Sequence, residues 1–169
     1  ILKDEIDFCF LNLTNYSDHF FYEHLMHEKI FLAAYKNHPI VKDISTSIEN
    51  PTNVDLSIFK DQPFISLMKT QNLSTLVNNL FGKYGLKQNI AIETSNLTTA
   101  MNLVAANAGY FTFVPEVYAK HSLNIDRLSF FTVDTPELFW PLNIVYKKDA
   151  YLSKAALNFL AISKEIFHD

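Results

Sequence analysis

The sequence predicts an α/β fold, a mainly parallel sheet with crossover helices. Three observations predict it. Short apolar runs of strand length alternate with segments whose apolar residues recur at helical spacing. The helical segments carry suitable start and stop residues, such as Asn72 at the head of one and Gly85 behind it. Of the 169 residues, 49% are hydrophobic and 19% charged, which allows a buried core and argues against a disordered chain.

Residues 6–11 (IDFCFL) are short and apolar and read as a buried strand, with Cys9 as a small buried hydrophobe. NLTNYSDHF is turn-like. Residues 23–35 (EHLMHEKIFLAAY) read as extended, with a kink near Glu28. NHPIVKD is a loop with one helical turn, and TSIENPTN, with Pro51 among polar residues, is the clearest loop. Residues 54–60 (VDLSIFK) read as a short helix. PFISL (63–67) is a strand begun by proline, as an edge or first residue can be.

NLSTLVNNLFGKYGL sets Leu73, Leu76, Val77, Leu80 and Phe81 at helical spacing, with Asn72 as N-cap and Gly85 as the closing residue. NIAIE (89–93) is a strand. Ser95 or Asn96 caps the next helix, whose apolar face is Leu97, Met101, Val104 and Ala105. Asn107 stands where that helix ends, and asparagine is the next best residue after glycine in a left-handed cap. Gly109 then lets the backbone reverse into the strand GYFTFV (109–114). EVYAKH is a short helix. RLSFFTV (127–133) and FWPLNIVYK (139–147) are strands. Leu152, Ala156, Phe159, Leu160 and Ile166 form the apolar face of a C-terminal helix capped by Ser153.

Several function classes are excluded by composition. Fourteen basic against 18 acidic residues, with no basic stripe, leave no nucleic-acid footprint on this chain. A single cysteine excludes an internal disulfide framework and a cysteine-based zinc site. No apolar run approaches the roughly 18 residues of a membrane span. The acidic start lacks a signal-peptide layout, and the sequons at Asn12, Asn15, Asn72 and Asn96 are expected by chance in an asparagine-rich chain. A soluble, cytoplasmic protein fits best. HEKIF lacks the second histidine of a zincin motif. His24 and His27 sit three apart on an extended segment, a spacing that sets them on opposite faces and argues against a shared metal. Asp4, Glu5 and Asp7 form a solvated charged edge. No nucleophile elbow, phosphate loop or dinucleotide fingerprint is present, so neither an enzyme nor a cofactor is expected.

Five blocks in order, "IDFCF", "HLMHEKIFLAAYKNHPI", "QPFISL", "NLSTLVNNLFGKYGL" and "IAIETSNLTTAMNLVAANAGYFTFVPE", resemble the effector-binding domain of LysR-type transcriptional regulators. The resemblance covers nearly the whole chain. It departs from the family at Asn107, where a glycine is usual, and in starting at what looks like the end of the first lobe's second helix. It implies a two-lobe, periplasmic-binding-protein-like (type 2) α/β fold with lobe I incomplete. Residues 1–12 and 132–169 would form partial lobe I, and 13–131 lobe II with the crossing segments. It further implies a small-molecule effector bound in the crevice between lobes, a homo-oligomer (dimer or tetramer), and DNA contact only through a winged helix-turn-helix domain outside this chain.

Carried over position by position, the resemblance places effector contacts at the helix start Asn72, Leu73 and Ser74, preceded by Lys69 and Thr70. The free N–H groups and positive dipole end of such a helix favour an anionic group, and Lys69 adds positive charge. Capping explains Asn72 equally well. Asn12 and Met26 match cleft-lining positions where some relatives carry arginine; both are uncharged here, which points away from a dicarboxylate. Thr94 and Ser95, with Asn96, open the second helix and could donate to a ligand or simply cap. Val114 and Pro115 would shape the lobe. The competing reading is a transporter's solute-binding protein with the same two-lobe fold.

Overall fold

The computed structural model describes residues 6–12, 16–133, 138–149 and 151–167. Asp4, Glu5 and the Asn15 sequon lie outside them. The elements in chain order are β1 (Phe8–Asn12), β2 (Phe20–Tyr35), β3 (Thr52–Val54), β4 (Pro63–Leu67), α1 (Asn72–Lys83), β5 (Asn89–Thr94), α2 (Leu97–Ala105), β6 (Phe111–Pro115), α3 (Glu116–Lys120), β7 (Leu128–Val133), β8 (Phe139–Lys147) and α4 (Lys154–Ile166). The chain divides into two compact units, one of Ile1–Glu28 with Phe139–Asp169 and one of Lys29–Leu138.

In the first unit β1 pairs antiparallel with β8, from Phe8 opposite Tyr146 to Asn12 opposite Leu142. β8 neighbours β2. Leu25, Ile144 and Leu160 make a small core, against which Phe8, Met26, Leu142, Tyr146, Leu152 and Phe167 pack. The Ser153 hydroxyl caps α4 by accepting from the Ala156 N–H at 3.1 Å. The inward stripe of α4 is Ala156, Leu160 and Ser163. Phe159 and Ile166, expected on that face, are instead exposed, because at about 100° per residue they fall roughly 60–80° to one side of Ala156 and away from Leu160. Phe159 stacks on Phe8 at 5.2 Å between ring centres. Cys9 is half-buried rather than buried, and burial raises its thiol above the ordinary value.

A polar tie joins three elements of this unit. The Tyr146 hydroxyl donates to the Glu23 carboxylate at 2.5 Å, and the Lys164 ammonium pairs with that carboxylate. Burial acts to raise the Glu23 carboxyl; hydrogen bonds from Lys164 and Tyr146 outweigh it and leave it below its usual value. The same hydrogen bond to Glu23, helped by burial, pushes Tyr146 up to about 12.

The second unit holds a sheet in which β3 pairs β7, β7 pairs β2, and β6, β4 and β5 follow in turn. It is mixed, not mainly parallel. β4 runs parallel to β5 and β6, and β3 to β7, as strands joined through crossovers should. β2 is antiparallel to both β6 and β7 because it enters from the first unit without a crossover helix. Successive strand residues serve opposite faces. Ile65 packs with Ala100, Met101, Val104 and Ala119 under α2 and α3. Phe64 meets Phe81 of α1 at 5.4 Å, and Phe113 at 5.9 Å, on the other.

Short elements deviate from expectation. Thr52 and Asn53, expected as loop, and Val54, expected to open a short helix, join the sheet as β3, since three residues are too few to show a period. Residues 54–60 supply only a 3-10 turn, Leu56–Phe59, whose first N–H groups include Ser57 donating to Asp55 at 2.8 Å. Pro63 is the first residue of a strand that lies inside the sheet. The helix closers behave as expected. Gly85 has φ +65°, with Gly85 N–H donating to Gly82 and Leu86 N–H to Phe81 in a closing double turn. Asn107 adopts φ +62° and Gly109 φ +75°.

Candidate functional site

Parallel pairing of β4 with β5 puts the carboxyl ends of two strands, and the helix starts that follow them, side by side within the second unit. The two connecting loops are joined. The Met68 N–H donates to the Thr94 carbonyl at 3.0 Å, and Gln71 Nε2 donates to the Ser95 carbonyl at 3.2 Å. Lys69, Thr70, Asn72, Thr94 and Ser95 therefore belong to one small surface. Of these, Lys69, Thr70, Asn72 and Ser95 are exposed and Thr94 half-buried.

The cap of α1 is not Asn72. Asn72 already has helical backbone, and Gln71, extended at φ −98° and ψ 139°, is the cap residue. Its side chain makes no capping bond because its amide reaches across to Ser95. Gln71 thus gives the first turn of α1 no side-chain cap, and the positive end of the helix dipole, roughly half an elementary charge, lies at that turn. α2 contrasts with this. Asn96 caps it by accepting from the Thr99 N–H at 2.9 Å, and Thr94 Oγ1 accepts from the Asn96 N–H at 3.1 Å. Thr94 and Asn96 are occupied in shaping that turn.

Leu73 and Ser74 point inward. Ser74 is 2% exposed and its hydroxyl finds no partner. Gln88, in the loop before β5, is 6% exposed with Oε1 likewise unpartnered. Both line a recess under α1 together with Ser66, Leu73, Val77 and Thr112. Its free space is about 10 Å³, room for a single water-sized group. The two other hydroxyls there are committed, Ser66 donating to the Leu67 carbonyl and Thr112 to the Ile65 carbonyl at 2.9 Å. Each still has lone pairs to accept with.

Asn12 and Met26 belong to the first unit. Asn12 ends β1 and is half-buried; Met26 packs on the Leu25, Ile144 and Leu160 core. Val114 and Pro115 are buried in β6. Gln71 and Gln88 were not legible as site residues. Gln71 offered one signal, its place directly before the helix; Gln88 offered none.

His24 and His27 also depart from expectation. Their ring centres are 4.3 Å apart, so they share a face. Leu25 and Met26 both pack on the same core, which breaks the alternation of β2 between them.

The LysR substrate binding domain family model matches residues 1–167. The chain is 28% identical over 137 residues to the uncharacterized HTH-type transcriptional regulator YwbI of Bacillus subtilis (strain 168), covering 77% of this chain and 45% of that protein. It is 24% identical over 168 residues to the malolactic fermentation system transcriptional activator of Lactococcus lactis subsp. lactis, covering 98% of this chain and 54% of that one. It thus spans about half the length of the curated relatives it matches. The Synechocystis PCC6803 CcmR regulatory domain, solved in complex with 2-PG, matches with a TM-score of 0.83 at 14% identity, over 99% of this chain and 76% of that chain. No helix among the described residues is long and apolar enough to cross a membrane. With the type 2 periplasmic-binding-protein-like fold of its structural neighbours and a family match over nearly its whole length, the chain belongs to the LysR substrate binding domain family, the effector-binding domain of LysR-type transcriptional regulators.

Proposed function

We propose that the chain senses a small metabolite whose single anionic or strongly polar group docks at the first turn of α1. The observation that carries this reading is the buried, unpartnered Ser74 hydroxyl in the first turn of α1, a turn that Gln71 does not cap. Natural helices satisfy their first-turn N–H groups and buried hydroxyls, and a ligand is one way to do so. Asn72 and Leu73 would present backbone N–H groups, Ser74 its hydroxyl, and Lys69 a positive charge, with Thr70, Thr94 and Ser95 on the rim. Asn12 and Met26 carry no charge, so neither offers a cation for a second carboxylate. CcmR in complex with 2-PG lends support to a small ligand on this fold.

In this reading residues 1–12 and 132–169 belong to lobe I and residues 13–131 to lobe II with the crossing segments. A ligand with unequal affinity for two states of the regulator shifts their populations. The readout is DNA binding by a separate winged helix-turn-helix domain in a cytoplasmic homo-oligomer. The domain performs no catalysis. The test is a thermal-shift screen of small mono- and dicarboxylates and uncharged metabolites against the full regulator and its Lys69→Ala and Ser74→Ala variants. A compound that raises the wild-type melting temperature and has no effect on either variant supports the site. A compound equally effective on all three places the ligand elsewhere.

A further inference from the structure

We propose that the recess under α1 takes a hydroxyl group of the effector, which makes the ligand a hydroxy acid whose carboxylate docks at the first turn of the same helix. The proposal rests on that docking and adds the chemistry of the ligand's second group. Two side chains carry it. Ser74 is 2% exposed and Gln88 6%, and each has an oxygen without a partner. Both line the one recess. A buried polar atom with no hydrogen bond is uncommon in native proteins, and two around a single space point to an occupant. Ser74 is also the third residue of α1, so the recess adjoins the turn where the anion docks.

Four side-chain oxygens around the space decide what fits. Ser66 gives its proton to the Leu67 carbonyl at 3.2 Å and Thr112 to the Ile65 carbonyl at 2.9 Å, so each has only lone pairs left to offer. Gln88 Oε1 can only accept, and the Ser74 hydroxyl can accept or donate. A carbonyl or carboxylate oxygen in the recess would find one donor and three acceptors that repel it. A donor finds partners instead. The free space of about 10 Å³ admits a group the size of one water, which a hydroxyl is. An ammonium also donates, but the positive end of the α1 dipole lies at this turn, and no lining side chain carries a negative charge to offset it. A neutral hydroxyl is the group that suits the donor count, the size and the field together. Ser66, Ser74, Gln88 and Thr112 are each at most 6% exposed, so bulk water does not soften a mismatch there. A ligand that fills the docking turn and lacks the hydroxyl leaves Gln88 Oε1 buried and unpaired.

The test is isothermal titration of the full regulator with straight-chain acids of three to six carbons, each as the hydroxy acid, the keto acid and the unsubstituted acid, beginning with lactate, pyruvate and propionate. The variants are Gln88→Met, which keeps the length of the side chain and loses its acceptor, and Lys69→Ala. At least one hydroxy acid should bind the wild type about tenfold or more tightly than its keto and unsubstituted counterparts. Gln88→Met should bring that ratio down towards one. Lys69→Ala should weaken all members of the set and leave the ratio as it is. Carboxylates that bind through Lys69 with no preference for the hydroxyl overturn the recess assignment and leave the docking turn standing; the recess then holds a resident water. A preference that persists in folded Gln88→Met overturns it as well. No saturable Lys69-dependent binding up to about 10 mM acid overturns both the recess and the docking turn. The comparison of acids on the wild type needs no substitution, so it decides the matter even if far-UV circular dichroism shows that Gln88→Met folds poorly.

Discussion

Ser74→Ala separates a functional hydroxyl from a structural one. The Ser74 hydroxyl is buried without a partner. A buried, unsatisfied polar group costs about 1–3 kcal/mol. Removing its oxygen forfeits a handful of van der Waals contacts at about 0.1–0.2 kcal/mol each. Alanine also has the higher helix propensity, by a few tenths of a kcal/mol. The terms sum to a net stabilisation of about 1 kcal/mol without ligand, or a rise in melting temperature of roughly 2–4 °C. Ligand affinity should move the other way. Loss of a hydrogen bond to a charged group costs about 1.5–3 kcal/mol, at least a tenfold weakening. A variant that is more stable and binds less well is the signature of a site kept at the expense of stability. The assays are urea denaturation of the ligand-free protein and thermal shift with a compound from the screen. If Ser74→Ala instead loses more than about 1 kcal/mol, the hydroxyl is satisfied in solution and the reasoning fails.

Three further expectations follow from local geometry. Asn96→Ala removes the 2.9 Å cap of α2 and should cost about 1 kcal/mol in urea denaturation; an unchanged midpoint would mean that Thr94 and water replace the cap. Asn107 holds φ +62°, so Asn107→Gly should stabilise by a few tenths of a kcal/mol and Asn107→Val destabilise by about 1–2 kcal/mol, read as opposite shifts in melting temperature. Tyr146→Phe breaks the tie to Glu23 and should cost about 1 kcal/mol at neutral pH. Its pH dependence has a definite sign. Tyr146 is raised to about 12, so its contribution is full below the unfolded value near 10 and fades as pH climbs through about 12. Glu23 is lowered, so its contribution is present above the unfolded value of about 4.3 and is lost as pH falls through the folded one. Melts of the wild type and variant from pH 3 to pH 9 should therefore converge at the acid end, where the tie is already broken; parallel curves would sink this account.

What was legible in the sequence was chemistry that acts over a few residues. Gly85 and Asn107 stop helices because a left-handed backbone is cheap only for glycine and, next, asparagine, and both take that conformation. Asn96 and Ser153 cap for equally local reasons. Neither the strand order nor the antiparallel course of β2 was legible, because pairing joins residues far apart in sequence. The site failed at two points for one reason. Asn72 looks like the cap of α1, yet the cap residue is Gln71, because the decisive bond runs from its amide to Ser95 in another loop. Gln88 shows no period and no motif, and becomes conspicuous only when the recess gathers it with Ser74. His24 and His27 make the converse case. The strand rule separates them, and a core that takes both Leu25 and Met26 overrides the rule. Where tertiary packing overrules a local preference, it must recover the cost elsewhere or leave groups poised for a ligand. The first turn of α1 is such a place in this chain, since Gln71 reaches to Ser95 instead of capping it and the Ser74 hydroxyl is buried without a partner.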